Sequence, residues 1–121
     1  MTALKALIHS FPKADLHVHA GGAFPLSFLE KHANPDQLLK LNEITSKILK
    51  GMEYEKAFEV FPIISSIVKT NRLLEEGILA ICQAAHADGV TVIEIRTGLK
   101  KLDGNEEDYL EACLRAIKKS P

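Results

Sequence analysis

Tryptophan is absent from this 121-residue chain, cysteine occurs twice, and no apolar run approaches the about 18 residues that a membrane-spanning helix requires. The last absence removes a membrane-embedded role. Two cysteines, Cys82 and Cys113, are too few for a disulfide framework and fit a reducing compartment. Charge of one sign is missing too: 15 basic against 16 acidic residues leave a net charge of -1. With no basic run or stripe, nothing offers a phosphate backbone or an anionic membrane a surface to follow. Met1 to Ser10, interrupted by Lys5 and His9, is too short for a secretory signal. Repeats, low-complexity tracts and flexible linkers are also lacking. These exclusions leave the expectation of a globular, cytoplasmic chain with no nucleic acid and no membrane among its partners, and keep small anionic or neutral ligands open.

What is present centres on Phe11 to Gly22, FPKADLHVHAGG, which reads as a β-strand running into a glycine turn. Alternation along a strand sends Asp15, His17 and His19 to one face and Ala14, Leu16 and Val18 to the other. Side chains two residues apart on one face lie roughly 6–7 Å apart, near enough for two imidazole nitrogens to reach a single ion at about 2.0–2.1 Å. His17 and His19 are therefore candidate metal ligands, against the plainer alternative of two partly exposed strand histidines. Ala20-Gly21-Gly22 is expected to turn the backbone sharply beside them.

The rest of the chain reads as helices around one further strand. Leu4, Leu7 and Ile8 follow Thr2, a candidate N-cap, at helical spacing. Pro25 opens one or two helical turns ending near His32, where an imidazole complements the helix dipole. Asn34-Pro35-Asp36 starts a longer helix that Gly51 stops. A second amphipathic stretch runs from Glu53 to Val68, with a break expected between Phe58 and Ile64 because Pro62 lacks an amide donor and clashes with the preceding turn. Phe58 and Phe61, aromatics at helical spacing, read as core packing. Thr70 to Asp88 carries the clearest helical stripe, with Leu74, Ile78, Ile81 and Ala85 inward and Cys82 a buried small hydrophobe.

Val90 to Thr97 is β-branched and follows that helix at once, the mark of a parallel βα arrangement. Ile93 and Ile95 are expected to pack under helices, which turns Val92, Glu94 and Arg96 to the face of the histidines. Charges placed there need partners, so Glu94 and Arg96 are expected to pair, and Glu94 is a candidate carboxylate behind a ligating histidine. A purely structural ion pair is the alternative. Leu99 to Gly104 is a polar loop, and Asn105 then caps a helix whose apolar face is expected at Leu110, Cys113, Leu114 and Ile117.

Pro12-Lys13-Ala14-Asp15-Leu16-His17-Val18-His19, with Gly22 beyond it, resembles the first strand of the adenosine deaminase family, and Asp88 to Arg96, with its Glu94-x-Arg96, resembles the family's second. The resemblance spans the chain and implies an α/β fold, the N-terminal portion of a (β/α)8 TIM barrel with two parallel strands and a helical insertion between them. A complete barrel needs about 200 residues at least, so the barrel here is expected to be incomplete. By resemblance the complete enzyme uses Zn2+ to deaminate adenosine or a related aminopurine. His17 and His19 carry over as its ligands, while the remaining catalytic groups belong to later strands. The resemblance also implies an apolar lid over the substrate, for which Phe58 and Phe61 are the candidates, and a substrate contact at Gly21. Many family members have an acid at that position, and glycine cannot accept a bond from a sugar hydroxyl.

The chain alone is expected to be inactive, and to cover its open strand edges by self-association or by association with the missing C-terminal part. The alternatives are another His-x-His metallohydrolase, such as a phosphoesterase of the polymerase-and-histidinol-phosphatase type, or a non-catalytic helical interaction domain.

Overall fold

The computed structural model describes residues 1–121 in the order α1 (Ala3–Ser10), β1 (Lys13–His19), α2 (Ala20–Ala23), α3 (Leu26–His32), α4 (Pro35–Leu49), α5 (Tyr54–Ala57), α6 (Val60–Ile67), α7 (Asn71–Ala87), β2 (Val90–Arg96) and α8 (Glu106–Lys119). Side-chain caps set the long helices. Thr70 Oγ1 accepts from the Leu73 amide at 3.1 Å to start α7. Asn34 and Gln37 cap α4 reciprocally at 2.8 and 2.9 Å, and Asn105 and Asp108 cap α8 in the same way. Gly51 and Gly89 end α4 and α7 at φ of 80° and 77°, in the left-handed region that favours glycine. Phe58 and Glu59 separate α5 from α6, which places Pro62 in the first turn of α6, where its missing N–H costs no helical bond.

The strands form a two-stranded parallel sheet joined by the helical insertion. At their C-terminal ends Val18 lies opposite Ile95 and His19 opposite Arg96. Val18, Ile93 and Ile95 pack against the apolar core, so the other face carries the polar residues, as alternation requires. The register shifts between Lys13 and Ala14 and again between Asp15 and Val18, and Leu16 within the second stretch stays exposed. The core is built from Phe28, Leu29, Leu41, Ile64, Leu74, Ile78 and Ile81, continued by Tyr109 and Ala112 of α8. No helix is long and apolar enough to cross a membrane.

Two expectations are corrected. Residues 20–23 form a turn of helix, and neither Gly21 nor Gly22 has a positive φ. Gly22 is instead a point of close approach, since a Cβ there would lie 3.2 Å from Phe61 Cε1. The second correction concerns α8, which buries Tyr109, Ala112, Cys113 and Ala116 and leaves Leu110, Leu114 and Ile117 exposed. Ala112 and Ala116 have no side chain beyond Cβ to hold the helices apart, so α8 lies close against α7, and its bulkier stripe faces away.

An ion cluster ties these helices on the surface. Glu75 of α7 accepts from Lys119 Nζ at 2.6 Å and from Arg115 Nε at 2.9 Å. Those hydrogen bonds, from Lys119 first and Arg115 second, hold the Glu75 carboxyl below its usual range. The stabilisation is therefore present above the unfolded carboxylate pKa and is lost as pH falls through the lowered folded value. Melting temperatures of wild type and Glu75→Gln are expected to differ at neutral pH and to converge in acid below that value. A gap unchanged down to pH 2 would refute the assignment.

Candidate metal-ligand pair and substrate cleft

Alternation along β1 brings the two imidazoles together: His17 Nε2 and His19 Nε2 lie 2.9 Å apart, with ring centroids 4.8 Å apart. Asp15 Oδ1 accepts from the His17 amide at 3.5 Å, at the start of the same exposed face. No third His, Cys, Asp or Glu joins the pair.

His19 also lines a cleft of about 370 Å³ that collects most of the other sequence candidates. Gly21 and Gly22 form one side, Phe58 and Phe61 another, and Arg96 a third. The aromatic residues do not belong to the core, for Phe58 is 49% and Phe61 37% exposed. Their rings stand 5.7 Å apart, and Tyr54 continues the row with an edge-to-face contact to Phe58 at 5.1 Å. Gly22 lets Phe61 settle against the turn that follows the histidines.

Arg96 Nη2 donates to Glu94 Oε1 at 3.1 Å, with both side chains about half exposed. The expected pairing is present at the surface. The structure shows no hydrogen bond from Glu94 to either histidine, and Glu94 does not line the cleft.

Sequence reasoning did not single out Thr97, Gly98 or Lys100, which complete the cleft. The sequence did place the loop Leu99 to Gly104 at the C-terminal end of β2, where α/β barrels keep their chemistry, without choosing a residue in it. Arg96 and Lys100 give the cleft two cationic groups. Cys82 and Cys113 are buried, and desolvation pushes both thiols above their ordinary pKa, which suits packing and not nucleophilic attack.

No family model matches the chain. A curated relative, the N6-methyl-AMP deaminase of Danio rerio, is 30% identical over 121 aligned positions, covering 88% of this chain and 32% of the relative. Among solved structures, the ADAL–IMP complex superposes with a TM-score of 0.77 at 19% identity over 97% of this chain and 36% of that one. The arabidopsis N6-mAMP deaminase MAPDA gives a TM-score of 0.77 at 20% identity over 96% of this chain and 37% of that one. The chain thus spans about a third of the length of the curated relative it matches. In sequence and in fold it is similar to the N-terminal part of adenosine deaminase-like proteins, with two parallel strands and their helices.

Proposed function

We propose that these residues supply two ligands and one wall of the active site of a zinc-dependent aminopurine deaminase. The observation that carries the reading is the convergence of His17 Nε2 and His19 Nε2 to 2.9 Å on the face that opens into the cleft. Two nitrogens on a tetrahedral zinc at about 2.0–2.1 Å stand about 3.3–3.4 Å apart, so a small parting of the two rings would seat both on one ion. Zn2+, when bound there, supplies water activation by lowering the pKa of a coordinated water towards about 7. A catalytic zinc site usually takes three protein ligands, so the isolated 121 residues are proposed to be inactive. The strands that complete a barrel would also cover the open edges of the sheet.

The chain's own residues hold the substrate. Phe58 and Phe61 offer an apolar wall to a purine and displace water from its face. Arg96 and Lys100 suit an anionic group attached to the sugar. Two of the solved relatives are complexes with IMP and one with GMP, which supports a purine nucleotide as the ligand class. A cytoplasmic location accords with the paucity of cysteine and is part of the proposal.

Calorimetric titration of a complete enzyme that carries these residues with IMP and inosine tests the reading. Lys100→Ala is expected to weaken IMP by about tenfold or more, the scale of one hydrogen bond to a charged group, while leaving inosine unchanged. A protein that binds neither purine, or whose IMP affinity ignores Lys100, would remove it. Release of phosphate from IMP would favour the phosphoesterase alternative.

A further inference from the structure

Tyr109, 4% exposed near the start of α8, carries a hydroxyl that packing in the core does not require. That hydroxyl meets Thr97 Oγ1 at 2.6 Å, where β2 passes into the loop bordering the cleft. The direction of the bond follows from the protons present. Thr97 has one hydroxyl proton and donates it to the Gly98 carbonyl at 3.2 Å, so Tyr109 is the donor to Thr97. Desolvation pushes the Tyr109 phenol above its ordinary pKa, which keeps that proton in place at neutral pH.

What the bond shapes is the loop itself. Arg96 closes β2 opposite His19, so the strand pairing fixes its backbone. Beyond it, residues 97–104 make no backbone–backbone hydrogen bond within the chain, and side chains hold them instead. At the far end Asp103 Oδ1 accepts from the Asn71 amide at 2.7 Å, and Leu102 packs against the core. At the near end stands the run of hydrogen bonds from Tyr109 through Thr97 to Gly98. Lys100 lies between these two anchors, and with Arg96, Thr97 and Gly98 it lines the cleft. Tyr109 does not.

We infer that Tyr109 is a positioning residue for the cationic side of the cleft: through Thr97 and the Gly98 carbonyl, its hydroxyl sets the point from which Lys100 reaches an anionic group. The inference rests on the purine nucleotide reading above and adds to it a residue that acts only through others. The lysine stem is long and flexible, so it recovers part of any displacement of its origin. Losing the Tyr109 hydroxyl therefore costs less than losing Lys100.

The test is a double-variant cycle in a complete enzyme that carries these residues, read by calorimetric titration with IMP and inosine. Tyr109→Phe keeps the ring and is expected to weaken IMP by about threefold to tenfold, the scale of one neutral hydrogen bond, while leaving inosine unchanged. In the Lys100→Ala background the same change is expected to cost IMP nothing more, because the group it positions is gone. A merely structural role gives another pattern, in which both ligands weaken, and by the same factor with or without Lys100. That pattern, or IMP binding that ignores Tyr109→Phe, overturns the assignment and leaves the purine reading standing. Should Tyr109→Phe melt too low to titrate, Thr97→Val deletes the same bond from its accepting end and carries the same expectations. Failure of the unmodified enzyme to bind either purine overturns the purine reading and this inference with it.

Discussion

Replacing His17 and His19 together with alanine is expected to abolish zinc binding while leaving the metal-free fold intact. Both rings are exposed and bond each other, and neither belongs to the core, so their loss opens no cavity. Metal content of a complete enzyme that carries these residues should fall from near one zinc per chain to background. Thermal unfolding gives the second readout. A ligand that binds only the native state stabilises it by about 2.7 kcal/mol at a hundred times its Kd. Wild type should melt higher with added zinc, and the double variant should not respond. In a complete enzyme, deaminase activity should fall by more than the about 10–100-fold that loss of even an outer partner of a metal ligand costs. Equal zinc content in the two proteins would return His17 and His19 to the plainer reading of strand histidines.

The largest effect on folding is expected at Ile78. It is 1% exposed in the middle of α7, the helix that packs on both β2 and α8. Ile78→Ala removes methyl groups that neighbouring side chains cannot fully replace, and is expected to cost about 2–5 kcal/mol. Against a typical total of about 5–15 kcal/mol, that leaves a large unfolded fraction under mild denaturant. The urea midpoint should drop by roughly 1 M or more without a change in slope. Leu49→Ala, at a side chain 83% exposed, is the control and should stay within about 0.5 kcal/mol of wild type. Equal effects at the two positions would mean that the interior has been misassigned.

Local rules carried the sequence reading wherever neighbours along the chain settle the outcome. Asn34-Pro35, Thr70 and Asn105 start helices because each cap is closed within a few residues, and Gly51 and Gly89 end them for the same reason. The convergence of His17 with His19, and the placing of Arg96 on the same face, follow from alternation on strands whose inner residues are unmistakably apolar, whereas the register that sets Arg96 opposite His19 came from the tertiary structure. The misreading of α8 has an equally physical cause. Leu110, Leu114 and Ile117 are the more hydrophobic face, but a helix seated closely on α7 turns small residues towards it, and hydrophobicity alone does not report that preference. The turn after His19 was misjudged likewise, because glycine there answers to the distant Phe61 and not to a local φ requirement.

By itself, the order of residues determined most of the elements, the parity of both strands and the convergence of His17 with His19, since each depends on spacings of two to four residues. Only the tertiary structure decided that Phe58 and Phe61 stand at the cleft and not in the core, and that Lys100 joins Arg96 there. Those facts depend on how far α5 and α6 lean over the ends of the strands, a distance set by packing between segments tens of residues apart, which no local periodicity encodes.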